Sequence, residues 1–273
     1  MVITDRFVYI HPHKTGGTFV ENVLKSLPQG PAGKYNLTIH RVLRQHQTVR
    51  EIPKAHRHKP VLVTVRNPYD FYVSLYEFGR WKWRSNRFFH EHTLRLRYPH
   101  YPHLAFSEFM EVLNNWSLGL LRPRPGRPWN RLVFEKARIG FFSFFFLQFV
   151  SEQPLKIIER IDYYAQEERY RNFIPDVHFI DMANLNRELY DFLLKMGYDA
   201  EKLEFVLAME KILPPNSPRD GSSHWSGYYS PTMFAQVRYL DRAMFEIFPQ
   251  FQKDYTGQVH PSTARLSEAI AAR

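Results

Sequence analysis

Lys14, Thr15, Gly16, Gly17 and Thr18 stand together in the stretch "RFVYIHPHKTGGTFVENVL", residues 6–24. That combination suits an anion. A short β-like run leads in and a helical pattern leads out, so the glycines fall where a strand turns into a helix. Backbone N–H groups point outward at such a junction, and the helix N-terminus carries partial positive charge. Gly16 and Gly17 would let the backbone approach a phosphate closely, Thr15 and Thr18 would add hydroxyls, and Lys14 a full charge. The common nucleotide loop reads G-x-x-x-x-G-K-[ST], with lysine after the glycines. Here lysine comes first and the leading glycine is absent, so a standard ATPase or GTPase loop fits badly.

A second group follows in "VLVTVRNPYDFYVSLYEF", residues 61–78. Arg66 ends a β-branched run, and Ser74 lies eight residues further on, about two turns into the next helical pattern. Taken singly, Arg66 reads as a surface ion pair and Ser74 as a neutral helix-face residue. Asn67 is placed to cap that helix with Pro68 at its first position, where a missing N–H costs nothing. Thirteen histidines complete the chemical inventory, and cysteine is absent, which excludes disulfides and thiolate chemistry.

Together the two segments resemble the sulfotransferases that use 3′-phosphoadenosine 5′-phosphosulfate. "HPHKTGGT" is similar to that family's 5′-phosphosulfate loop, and "VRNPYDFYVSLY" to its 3′-phosphate motif. The likeness is to the branch of bacterial enzymes and carbohydrate sulfotransferases. It implies that Lys14 contacts the phosphosulfate and stabilises charge on the departing phosphate. Thr15, Gly16, Gly17 and Thr18 would cradle that phosphate, while Arg66 and Ser74 would hold the 3′-phosphate. Phe71 departs from the pattern, since many relatives carry a basic residue after the aspartate. The segment "LPPNSPRDGSSHWSGYYSPTMFAQVRYLDRAMFEIF" (213–248) is similar to the family's closing segment, which brings Arg219, Ser222 or Ser223 toward the nucleotide. Arg219 reads equally as a solvated loop arginine. Tyr228 and Tyr229 read as core or loop-anchoring aromatics.

Sulfuryl transfer to an alcohol builds charge on the leaving oxygen and needs a group to take the hydroxyl proton. Histidine titrates in the useful range. In "RQHQTVREI" (44–52), His46 resembles the family's usual base candidate and is the leading choice. His40 is second, and His11 and His13 beside the phosphate loop follow. Thr48 and Glu51 form a capping-box pattern, with orientation of the histidine as the other role open to Glu51.

These groups need a scaffold of parallel strands. "RFVYI", "PVLVTV" (60–65) and "VHFI" (177–180) read as buried strands, each leading to a helical pattern. "NLNRELYDFLLKMG" is an amphipathic helix stopping at Gly197, and Ser230-Pro231 opens another that runs through "TMFAQVRYLDRAMFEIF". The expected fold is therefore α/β, a P-loop-like and mainly parallel sheet flanked by helices. At 273 residues it reads as one sulfotransferase domain over the whole chain, with an irregular insertion at about 81–176 and a tail at about 255–273. Within 80–140 periodicity is poor and "RPRPGRPWNR" (122–131) reads as loop.

Apolar residues make up 44% and charged residues 23%, ordinary values for a globular chain. The formal net charge of +10 favours an anionic partner without choosing which. "IGFFSFFFLQFV" (139–150) is too short to span a bilayer and reads as a buried or surface-docking segment. No transmembrane segment or signal peptide is read, peripheral membrane contact stays open, and the cytoplasm is the expected compartment. The acceptor is expected to be a hydroxyl-bearing carbohydrate, glycolipid or small molecule. Arg80, Lys82, Arg84, Arg87, Arg95 and Arg97 would suit an acidic glycan. Trp81, Trp83, Phe88, Phe89, Trp116 and Trp129 would stack on a sugar, unless they form an ordinary aromatic core. No metal is expected to be required. One rival is a nucleotide-dependent kinase, which would need a Mg²⁺-binding carboxylate, with Asp70 the sole nearby candidate. The other is a basic nucleic-acid-binding protein, for which no recognised motif is present and which is not expected.

Overall fold

Val8–Ile10, Val61–Val65 and Val177–Asp181 form the three parallel strands that the β-branched runs predict. In chain order the strands are β1 (Val2–Ile3), β2 (Val8–Ile10), β3 (His40–Arg41), β4 (Val61–Val65) and β5 (Val177–Asp181). They make one sheet in the order β3-β1-β2-β4-β5. β2 pairs with β4 in parallel, Ile10 opposite Val63, and β4 pairs with β5 in parallel from Val61–Val177 to Val65–Asp181. The short edge pairings of β1 with β2 and with β3 are antiparallel. The sheet is thus mixed and mainly parallel, flanked by helices, and the fold is α/β. The computed structural model describes residues 1–27, 40–41, 46–83, 87–123, 126–210 and 225–255.

The chain forms two compact units. The first comprises Met1–Arg66, Phe146–Glu152 and Arg171–Pro214 and holds the whole sheet. Its core brings Phe7, Tyr9 and Leu62 of the strand segments against Phe19, Val20, Val23 and Leu24 of one helix and Leu185, Leu189, Phe192 and Leu193 of another. Those helices are Gly17–Ser26 and Leu185–Lys195. Each presents an apolar stripe at helical spacing to the sheet, as the sequence pattern requires. The second helix ends at Gly197, whose N–H reaches the Leu194 carbonyl at 2.8 Å.

The second unit comprises Asn67–Phe145, Gln153–Tyr170 and Pro215–Arg273. Helix Pro68–Phe78 opens as predicted: the Asn67 side chain accepts from the Tyr69 N–H at 3.0 Å, and Pro68 is the first helical residue. Phe71 is fully buried with its ring 4.8 Å from Phe142 and 5.5 Å from Phe145, so this departure from the motif fills an aromatic core. Periodicity finds no element in 80–140, yet helices Arg80–Trp83, Glu91–Arg97, Phe106–Asn114 and Arg131–Ala137 lie there. Each is short, from four to nine residues, and too brief to impose a pattern on its flanks. "IGFFSFFFLQFV" forms helix Phe141–Val150, and every residue of it is buried. No helix among the described residues is long and apolar enough to cross a membrane.

One helix expectation needs correcting. The pattern from Ser230 to Phe248 is not one helix but two, Pro231–Leu240 and Arg242–Ile247. Asp241 interrupts it with φ −100° and ψ 21°. Its fully buried carboxylate accepts from the Ser143 N–H at 2.8 Å, the Ser143 hydroxyl at 2.6 Å and the Tyr72 hydroxyl at 2.8 Å. Three donors from two other helices fix that side chain, and the backbone turns to deliver it.

Candidate functional site

The carboxyl ends of β2 and β4 lie side by side, and the first unit gathers its chemistry there. β2 ends at Ile10 and runs through His11, Pro12 and His13 into the Lys14 turn. Lys14 and Gly16 both have left-handed backbones, φ 65° and 83°. Successive N–H groups in such turns converge on an anion-binding concavity. Helix Gly17–Ser26 follows directly, with no side chain capping its N-terminus and no acidic residue in its first turn. Its first-turn N–H groups therefore keep the partial positive charge that a cap would have engaged. Thr18 is exposed at this end, and Lys14 is half-buried.

The two glycines have separate physical reasons. Gly16 takes a left-handed conformation that side chains rarely adopt, and a Cβ there would lie 2.7 Å from Leu185 Cδ2. Gly17 would place a Cβ 1.8 Å from the His11 ring. The loop thus closes down on His11, and any larger residue at 17 would displace that imidazole.

Behind the loop runs a buried chain of hydroxyls. Thr15 Oγ1 donates to the Pro12 carbonyl at 3.0 Å and lies 2.7 Å from Thr64 Oγ1. Thr64 Oγ1 is in turn 3.2 Å from Tyr9 Oη. Burial pushes the Tyr9 phenol far above its ordinary range, so it stays a neutral donor. The Thr15 hydroxyl is therefore held inward, toward Thr64 and the Pro12 carbonyl. Arg66, buried at the end of β4, donates from Nη1 to the Lys14 carbonyl at 2.9 Å. One arm of its guanidinium, which has five N–H donors in all, thus holds the Lys14 turn.

His46 joins this group. Its Nδ1 lies 2.8 Å from the His11 carbonyl, and a carbonyl only accepts, so Nδ1 carries the proton. The neutral ring then has its lone pair on Nε2, the tautomer of a base. The His46 ring packs on the His13 ring at 3.3 Å between centroids and edge-on to the His11 ring at 4.7 Å. His46 also has a left-handed backbone, φ 65°. The Glu51 carboxylate accepts from the Thr48 N–H at 2.8 Å and the Thr48 hydroxyl at 3.0 Å, closing the capping box.

The structure thus brings Lys14, Thr15, Gly16, Gly17, Arg66 and His46 together in one unit, with Thr18 at the mouth of the same helix. Ser74 belongs to the second unit, buried in helix Pro68–Phe78. Arg219, Ser222, Ser223, Arg84 and the side chain of His40 lie outside the described residues. Asp70 sits in the first turn of its helix, as a helix-start residue should. Tyr229 is buried and donates to the Tyr69 carbonyl at 2.9 Å, and Tyr228 donates to Glu77 at 2.8 Å, both anchoring roles. Among the aromatics weighed for sugar stacking, Trp81, Phe89 and Trp116 are core residues, while Trp83 is 72% exposed.

Sequence reasoning misses two members of the site. Thr64 reads simply as the interior of a β-branched strand. The pairing of His11 with Glu21 spans a strand end, a loop and a helix turn, and no periodicity reports it.

No protein-family model matches this chain, and no curated protein matches it by sequence. Among solved structures, the crystal structure of mouse sulfotransferase SULT7A1 complexed with PAP aligns over 98% of this chain and 88% of its own, at 14% identity and a TM-score of 0.45.

Proposed function

We propose that this chain is a sulfotransferase, moving a sulfuryl group from 3′-phosphoadenosine 5′-phosphosulfate to an acceptor hydroxyl. The observation that carries the reading is the His46 ring, its Nδ1–H committed to the His11 backbone carbonyl, beside a glycine turn with a lysine. The donor supplies an activated sulfuryl group; the acceptor oxygen bonds to sulfur as the bridging bond to phosphate breaks. His46 Nε2 takes the acceptor's hydroxyl proton. Lys14 and the uncapped N–H groups at Gly16–Gly17 stabilise charge on the departing phosphate, in the manner of a preorganised anion hole. Arg66 and Ser74 are each assigned to the 3′-phosphate, which distinguishes this donor from ATP, and Arg219 is assigned to contact with the nucleotide.

The acceptor class we favour is a carbohydrate or glycolipid, shaped by residues 81–176, and turnover independent of divalent metal in the cytoplasm. The exposed Trp83 beside the exposed Lys82 and half-buried Arg80 supports that choice. The test is release of 3′,5′-adenosine bisphosphate from the donor in EDTA, with a panel of sugars, glycolipids and small alcohols. We expect acceptor-dependent release. No release with any acceptor, together with loss of γ-phosphate from ATP-Mg²⁺, would replace this reading with a kinase.

A further inference from the structure

The ring of His11 is held on every side that the structure describes. Its Nδ1 lies 2.9 Å from Glu21 Oε1, both side chains being largely buried. Glu21 stands four residues into helix Gly17–Ser26, so the helix that offers its N-terminus also presents this carboxylate. The hydrogen bond from His11 holds the Glu21 carboxyl below its ordinary range. Tyr9 stacks on the ring at 6.0 Å, and Gly17 closes its other edge. His11 is the first residue after β2, so the strand anchors its backbone. The His11 carbonyl is the group that receives the Nδ1 proton of His46, and its ring is the wall against which His46 packs.

We propose that Glu21 and His11 are positioning residues for His46, fixing its orientation and tautomer through a path of carboxylate, ring, carbonyl and imidazole. This rests on the sulfotransferase reading for its catalytic meaning, but not for its structural content. His46 holds a left-handed backbone, which for a non-glycine residue persists only when its surroundings over-determine it. The path through His11 supplies that constraint. The same residue thus presents its ring to Glu21 and its backbone carbonyl to the His46 Nδ1–H.

The experiment compares Glu21→Ala and Glu21→Gln with the wild type by ¹⁵N NMR of the histidine rings and by transfer kinetics. In the wild type, His46 is expected to show a protonated Nδ1 and an unprotonated Nε2. Glu21→Ala is expected to mix the His46 tautomers and to lower kcat about 10- to 100-fold, the loss seen when outer partners of metal-bound imidazoles are removed. Donor KM should change less than about twofold. Glu21→Gln keeps an acceptor for the His11 Nδ1–H and should restore both readouts. If Glu21→Ala does not fold, His11→Asn takes its place, keeping the carbonyl but losing the ring, with the same expectation. An unchanged His46 tautomer in the alanine variant overturns the proposal, whatever happens to kcat. Should the wild type transfer no sulfuryl group, the tautomer measurement still decides the positioning role, while the catalytic reading fails separately.

Discussion

Lys14 and His46 share a trait that few residues in the chain have. Among the described residues, only five non-glycine positions have positive φ, and these are two of them. Such strain is retained where surrounding structure holds it, and it clusters at ligand clamps and active sites. Lys14 is held through its carbonyl by Arg66, and His46 through its ring by the His11 carbonyl. In the proposed reaction the two side chains have different tasks. Lys14→Ala should lower kcat by about 10²–10³-fold, as loss of one preorganised charge at a developing anion does. It should also weaken binding of the bisphosphate product. His46→Ala should lower kcat by about 10²–10⁴-fold while leaving product binding within about twofold. Single-turnover kinetics with calorimetry of product binding separates the two. Retained transfer in His46→Ala would hand the proton to another histidine, His40 first.

At the scale of elements, the Lys14 turn is backed by hydroxyls on three segments. Thr64→Val removes the middle one and leaves the buried Tyr9 hydroxyl and Thr15 without that partner. An unsatisfied buried donor costs about 1–3 kcal/mol, so the melting midpoint should fall measurably. Tyr9→Phe with Thr64→Val should cost less than the sum of the single changes, because the pair share one bond. An additive result would show that the chain does not act as a unit. β2, β4, β5 and the helices that follow them are legible in the sequence because β-branched runs, caps and apolar stripes are local signals. The break at Asp241 is not, since the apolar pattern continues through it and the donors that cause it lie on Tyr72 and Ser143, far away in the chain. The site divides in the same way. Lys14, the glycines, Arg66 and His46 sit in motifs, whereas Glu21 and Thr64 act through contacts made only once the strand and helix are placed.

For the molecule as a whole, stability and ligand binding give the broadest tests. Asp241 is fully buried, and desolvation raises its carboxyl to about 6 from an ordinary 3.8, against the pull of its Ser143 and Tyr72 donors. A carboxyl raised by folding contributes stability that is complete below the unfolded value and is lost as pH rises through the folded value. Between pH 5 and pH 8 the wild type should therefore lose about 1 kcal/mol relative to Asp241→Asn, which cannot ionise. Urea unfolding of both proteins across that range measures it, and a difference of opposite sign would mean that the donors outweigh burial. Thermal unfolding with 3′,5′-adenosine bisphosphate, ADP or ATP-Mg²⁺ reads whether the Lys14 turn holds the anion proposed for it. At a hundred times its dissociation constant a ligand stabilises by about 2.7 kcal/mol. The account predicts that the 3′-phosphorylated nucleotide raises the midpoint, that ADP and ATP-Mg²⁺ do not, and that Arg66→Ala abolishes the effect. Equal or greater stabilisation by ATP-Mg²⁺ would contradict it.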